Sequence, residues 1–256
     1  MQLQFGVGTH VGMKRGNNED GFLAQPPVGL FCVADGMGGH AGGARASKLA
    51  LETLGGFFRL TEGVDPDDWA LPLDRARSVN ENRLLLGVHA ANASVYRANR
   101  EDPENPTDMG TTVAALSLVD GQALTAHVGD SRIYRHRDGE LLALTQDHTL
   151  LNEYLRRGKL TPKEAETFPQ KNVLVRSVGQ KAQIEVDLGV YPALPGDVYL
   201  LCSDGLWGLI SSELIAGVLG RADDLERGAQ QLIDLANSFG GTDNITAVLV
   251  RVVSAD

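Results

Sequence analysis

Cysteine is nearly absent from this chain: two in 256 residues, Cys32 and Cys202, each inside an apolar run. Neither sits in a Cys/His spacing that suits zinc, and the six histidines are scattered. That excludes a disulfide framework and a structural zinc site, and both thiols are read as buried small hydrophobes. Positive charge is in deficit, with 23 Lys and Arg against 33 Asp and Glu, a formal net charge of −10. Such a balance disfavours a nucleic-acid groove or an anionic membrane surface. Long hydrophobic runs are missing too, none approaching the roughly 18 residues a membrane helix needs. Met1-Gln2-Leu3-Gln4-Phe5 lacks the basic and apolar blocks of a signal peptide, so a cytoplasmic protein is expected. Repeats, low-complexity tracts and an obvious interdomain linker are all absent, and residues 1–256 read as one domain. At 43% hydrophobic residues the composition is ordinary globular. A compact chain of this length buries roughly 70–75% of its unfolded surface, core enough to tolerate a costly cluster of charges.

What is present is carboxylates at the ends of apolar runs. Phe31-Cys32-Val33-Ala34 leads into Asp35-Gly36, and Tyr199-Leu200-Leu201-Cys202-Ser203 into Asp204-Gly205. Asp243-Asn244 stands just before the apolar run Ile245 to Val253. Each carboxylate is thus delivered by the end of a strand. Three such deliveries from distant positions imply one oxygen-rich pocket, the donor set that hard divalent cations require. A metal-dependent hydrolase is the expectation.

Turn chemistry gives two hairpins. Val113–Val119 and Ala123–Val128 flank Asp120-Gly121, and Arg132–His136 and Leu141–Leu144 flank Asp138-Gly139. Asp35-Gly36 and Asp204-Gly205 differ, because Gly-rich loops and helices follow them. One helix carries Ala46, Leu49, Ala50, Leu54 and Phe57 on one face. A second opens at the capping box Ser78-Val79-Asn80-Glu81 and runs through Tyr96. Asp223 is expected to cap a third, with Leu225, Ala229, Leu232 and Ala236 apolar and Gly240 as the stop. A short helix is expected at Ser212–Leu219. The order (strands, two helices, many strands, two helices, a last strand) predicts an α+β sandwich of two packed sheets flanked by helices. Arg59–Arg77 reads as a connector, and the polar segment 149–171, with Tyr154, Arg156 and Arg157, as a flap over a site.

Further motifs carry chemistry. Arg15-Gly16-Asn17-Asn18-Glu19-Asp20 offers a planar fork for phosphate and two carboxylates that can reach a metal directly or through water. In Asp35-Gly36-Met37-Gly38-Gly39-His40, Gly36 lets backbone approach a ligand, and His40 is a candidate general acid. Gly129-Asp130-Ser131-Arg132 closes one strand and opens another. Asn244 is placed to orient Asp243 by hydrogen bonding.

Arg15xxAsn18-Glu19-Asp20, Asp35-Gly36-Met37-Gly38-Gly39-His40, Gly110-Thr111-Thr112, Gly129-Asp130-Ser131-Arg132, Ser203-Asp204-Gly205 and Asp243-Asn244 occur here in the order found in metal-dependent protein phosphatases. The chain resembles the bacterial branch of the type-2C (PPM) Ser/Thr phosphatase family from about Phe5 to Val252. The resemblance implies a four-layer αββα sandwich with a binuclear Mn²⁺ or Mg²⁺ centre at one end. By motif, Asp35 bridges the metals, the Gly36 carbonyl binds one, and Asp204 and Asp243 bind the other. Glu19 or Asp20 acts directly or through water, and Asp130 with Asp204 matches a third, weaker metal position. Arg15 holds the phosphate. Arg15, Asp35 and Asp204 are therefore the expected catalytic residues. Phosphorylated proteins are the implied substrates, an opposing Ser/Thr kinase the implied partner, and a monomer the expected state.

The chemistry is consistent on its own terms. Packed carboxylates repel and would otherwise be driven to protonate; divalent cations relieve this and acidify a bound water. A thiol mechanism would need Cys-x5-Arg, and neither cysteine has it. Where many eukaryotic members carry His after Asp-Gly, this chain has Met37, which removes the obvious general acid. Two competing readings remain: a phosphoprotein-binding module with little turnover, and a hydrolase of small phosphoesters, since Arg15 recognises only the phosphate.

Overall fold

Each apolar run that ends in a carboxylate is a strand buried on both faces, and that alone builds the layers. In β3 (Leu30–Met37), Leu30, Cys32 and Ala34 pack towards helices, while Phe31 and Val33 pack towards a second sheet. In β10 (Val198–Cys202) the split is Leu200 and Cys202 against Tyr199 and Leu201. The same alternation runs through β11 (Ile245–Ser254). A strand covered on both faces is hydrophobic at every position, which is why these runs do not alternate in sequence.

The structure is a computed structural model that describes residues 1–38, 42–69, 71–101, 108–165 and 167–254. The remaining strands are β1 (Gln2–His10), β2 (Asp20–Gln25), β4 (Gly110–Thr111), β5 (Val113–Val119), β6 (Gln122–Val128), β7 (Arg132–Arg137), β8 (Glu140–Ala143) and β9 (Asp187–Pro192). One sheet has the order β1-β11-β10-β7-β8, the other β2-β3-β5-β6-β9 with β4 paired to β3, and all the pairings are antiparallel. The helices are α1 (Gly42–Thr61), α2 (Val79–Glu101), α3 (Leu150–Arg156), α4 (Pro162–Ala165), α5 (Asp204–Trp207), α6 (Ser212–Leu219) and α7 (Leu225–Ser238). α1 and α2 cover the outer face of the second sheet, α5 to α7 that of the first, giving the expected αββα layering.

Both hairpins form as the turn chemistry demands. Asp120 and Gly121 have φ of 51° and 71°, Asp138 and Gly139 of 51° and 83°, so both central positions are left-handed. The Ser78–Glu81 capping box is complete: the Glu81 N–H donates to Ser78 Oγ, and the Ser78 N–H to Glu81 Oε2. One boundary moves. Asp224, not Asp223, caps α7, its Oδ1 accepting from the Arg227 N–H. Cys32 and Cys202 are free and fully buried in two different cores. Among the described residues no helix is long and apolar enough to cross a membrane.

Candidate active site

Antiparallel pairing explains why distant motifs meet. The C-terminal ends of β3, β6 and β10 lie beside the N-terminal ends of β2, β7 and β11, so their flanking residues collect at one end of the sandwich. Asp20 opposes Asp35 in register across β2 and β3. Asp130 sits in the turn between β6 and β7, Asp204 is the first residue of α5, and Asp243 lies two residues before β11. The result is a cleft of about 550 Å³ lined by Arg15, Glu19, Asp35, Gly36, Asp130, Asp204 and Asp243. Its other wall carries Met37, Gly38, Asn172, Leu174 and Gln180.

Asp20 is the exception among the candidate ligands. It is buried behind the cleft, where its Oδ2 accepts from Ser203 Oγ at 2.7 Å, and its Oδ1 has no hydrogen-bond partner. Glu19 stands at the wall, and a Cβ on Gly43 at the start of α1 would meet Glu19 Oε2. Gly36 is equally confined: a Cβ there would meet the Gly43 carbonyl oxygen, so only glycine lets the β3 end approach α1.

The electrostatics record crowded negative charge. Burial first, then the neighbouring carboxylates Asp20, Asp204, Asp130 and Asp243, pushes the Asp35 carboxyl well above the usual range. Burial raises Asp20 to about 6. Burial and then Asp204 raise Asp130 to about 7. Asp204 is raised by burial and by Asp243, and lies within hydrogen-bonding reach of Asp35, a contact that is a bond only when one of the two holds a proton. Arg15 donates from Nη2 to Asp243 Oδ2 at 2.7 Å, and that bond raises its pKa further.

Among the described residues no three His, Cys, Asp or Glu side chains stand in ready-made ligand geometry. Arg15 instead bonds Asp243, and Ser203 bonds Asp20. The chemistry of the carboxylates still fits hard divalent cations: a cluster of oxygen donors with Asp204 Oδ1 and Asp20 Oδ1 buried and unpartnered is what such ions satisfy.

Several residues that build the site were not assigned a role from sequence. Thr112 Oγ1 accepts from the Asp35 N–H at 2.9 Å and contacts Ser131 Oγ at 2.6 Å. Thr111 Oγ1 donates to the Asp35 carbonyl. Gly110-Thr111-Thr112 therefore clamps the Asp35 backbone. Asn244 does not orient Asp243 with its side chain. Its Oδ1 accepts from the Glu19 N–H, and its Nδ2 donates to the Val11 and Asn17 carbonyls, pinning the loop that carries Arg15; only its backbone N–H bonds Asp243. In the segment expected to be a flap, Arg156 and Arg157 both pair with Glu153, and Tyr154 packs on Phe168. Asn172 and Leu174, just beyond residue 171, reach the cleft instead. His40 lies outside the described residues.

The protein phosphatase 2C family profile matches residues 8–239. The chain belongs to the protein phosphatase 2C family. Protein phosphatase PhpP of Streptococcus pneumoniae is 37% identical over 259 residues, covering 99% of both chains. The crystal structure of the serine/threonine phosphatase PstP/Ppp of Mycobacterium tuberculosis matches with a TM-score of 0.83 and 34% identity over 98% of each chain. A structure of the PstP catalytic domain in complex with two manganese ions matches with a TM-score of 0.80 and 34% identity, over 98% of this chain and 99% of that one. Both solved structures share this chain's fold over nearly its whole length.

Proposed function

We propose that this member of the protein phosphatase 2C family, a metal-dependent protein serine/threonine phosphatase, opposes a Ser/Thr kinase by acting on its phosphoserine and phosphothreonine products, as a cytoplasmic monomer. The observation that carries the reading is the carboxylate cleft beside an accessible arginine, in a fold shared with a solved relative in complex with two manganese ions. Asp35, the Gly36 carbonyl, Asp204 and Asp243 would hold two Mn²⁺ or Mg²⁺ ions, with Glu19 at the wall and Asp20 behind. Asp130 with Asp204 would hold a weaker third. Bound cations supply charge neutralisation and an activated water at neutral pH.

The chain's own residues do the rest. Arg15, its side chain 57% exposed, faces the cleft with its guanidinium and binds phosphoryl oxygens. Its contact with Asp243 ties that fork to the carboxylate cluster, so phosphate lands beside the ligands and not elsewhere on the surface. Thr111, Thr112 and Asn244 fix the backbones that carry Asp35 and Arg15, so little rearrangement accompanies binding. Both thiols are buried outside the cleft, so neither serves as a phosphate-accepting nucleophile. The 149–171 flap, with Asn172 and Leu174 at its edge, borders the substrate's path.

The test is phosphate release from a phosphothreonine peptide and from a small phosphoester, after chelation and after Mn²⁺ or Mg²⁺ is restored, for wild type and Asp204→Asn. Metal-restored turnover of the peptide, at least 100-fold lower in the variant, is expected, that size being common when one charge-stabilising group is lost. A folded protein inert with either metal would favour the phosphoprotein-binding reading. Preference for the small ester would replace the substrate class.

A further inference from the structure

One residue next to the cleft makes contacts that the catalytic reading does not use. Trp207, at the C-terminal end of α5, donates from Nε1 to the Asp130 carbonyl oxygen at 2.9 Å. Over the face of its ring lies the Arg132 guanidinium, 3.4 Å from the centroid. Arg132 is in turn fixed from two sides, by a bidentate pair with buried Asp147 at 2.8 and 2.7 Å and by a bond from Nη1 to Tyr134 Oη at 2.9 Å. Asp147 is tied to α3, because Asn152 Nδ2 donates to its carbonyl. The next residue, His148, grips the other side of the same turn: its N–H donates to the Gly129 carbonyl at 2.7 Å, and its Nδ1 accepts from the Gly129 N–H at 3.1 Å.

The Gly129–Asp130 turn is therefore held on two sides, by His148 and by the Trp207 indole. Gly129 has φ of +113°, a conformation few side-chain-bearing residues adopt, and it places Asp130 where its carboxyl is buried against Asp204. A turn of this kind keeps one direction only if its peptide groups are bonded from outside. The N–H of tryptophan is a single donor on a rigid ring, and a guanidinium locked over that ring removes its remaining freedom.

We propose that Trp207 is a positioning residue for Asp130: through its indole N–H and the Arg132–Asp147 stack it sets the affinity of the weak cation position formed by Asp130 and Asp204. The inference rests on the reading of Asp130 as a metal ligand. It predicts that loosening the stack weakens that position and spares the two held by Asp35, Asp204 and Asp243. It also links α3 to this position, since Asp147 belongs to both.

The experiment is direct Mn²⁺ binding to the full chain, followed by the electron paramagnetic resonance signal of free Mn²⁺, for wild type, Asp130→Asn, Trp207→Phe and Asp147→Asn. Trp207→Phe keeps a ring under Arg132 and loses only the donor. Expected is selective weakening of the weak class of sites by about three- to tenfold in Trp207→Phe, the scale of one hydrogen bond, with the tight class unchanged. Asp147→Asn, which halves the hold on Arg132, should weaken the same class, and it carries the test if the tryptophan variant does not fold. Asp130→Asn should abolish the weak class. Unchanged weak-site binding in both stack variants, or equal weakening of every site, overturns the positioning role. Unchanged weak-site binding in Asp130→Asn overturns instead the assignment of Asp130 as a ligand. The readout is binding, so neither result depends on whether the protein turns over phosphopeptides.

Discussion

Arg15 and Asp243, 228 positions apart in sequence, are joined by a 2.7 Å bond from Nη2 to Oδ2 at the mouth of the cleft. The residue expected to hold phosphate is thus tied to one expected to hold a cation. Asp243 is Arg15's counter-ion, and a cation on Asp243 would share its carboxylate with the guanidinium. Replacing Arg15 with Ala should lower kcat/KM for a phosphothreonine peptide about 10- to 100-fold, the scale of one or two charge-assisted hydrogen bonds. Arg15→Lys should recover only part of the loss, because an ammonium lacks the fork. Kinetics with saturating Mn²⁺ check both, and full recovery by Lys would argue for simple charge neutralisation.

The raised carboxyls make a stability prediction. A carboxyl whose pKa is higher in the folded state holds a proton that the unfolded chain has released, so folding loses stability as pH rises between the two values. For Asp130 that window runs from the ordinary carboxylate range near 4 to about 7. His127 and His148, held low by burial, act oppositely below about pH 6.5. Comparing wild type with Asp130→Asn removes their contribution. In chelator, the variant's advantage in stability over wild type should grow by roughly 2 kcal/mol between pH 5.5 and pH 8. Saturating Mg²⁺ should erase much of that growth. Thermal melts across pH measure it, and a pH-independent difference would contradict a raised Asp130 carboxyl.

Asn244 offers a third test. Its amide closes bonds to the Glu19 N–H and to the Val11 and Asn17 carbonyls, and it is buried. Asn244→Ala should cost about 2–4 kcal/mol of unfolding free energy through these unsatisfied groups. It should also raise KM by releasing the Arg15 loop. Denaturant unfolding beside steady-state kinetics would check the two effects together; a lost kcat with normal stability would instead give Asn244 a part in the chemistry.

Local signals carried much of the fold into the sequence. Asp-Gly between apolar runs specified both hairpins, Ser78 and Glu81 specified the start of α2, and runs without alternation marked strands covered on both faces. Signals with two equal solutions failed: in Asp223-Asp224 either residue offers a cap, and only the packing of Leu225 and Ala229 selects Asp224. Roles that depend on a distant partner were also hidden. Asn92 is buried in α2, where its Oδ1 accepts from the Gly179 N–H and its Nδ2 donates to the Lys181 carbonyl, fixing the stretch that carries Gln180 to the cleft. Glu19 and Asp20 could not be separated by spacing, because their difference lies in Ser203, 183 residues beyond Asp20. Trp207 was legible only as one of two tryptophans, three residues after Asp204.

The pairing of β1 with β11 has a consequence for engineering. Ile245 starts β11 at the cleft, and the strand runs away from it until Ser254 lies opposite Gln2. Residues 2 and 254 are therefore neighbours, roughly 30 Å of strand from the carboxylates at about 3.4 Å per residue. A short linker between them would close the backbone into a ring without touching the cleft, and the ring could be reopened at the exposed Asp120-Gly121 hairpin. Circular permutation would leave every ligand-bearing strand end where it is.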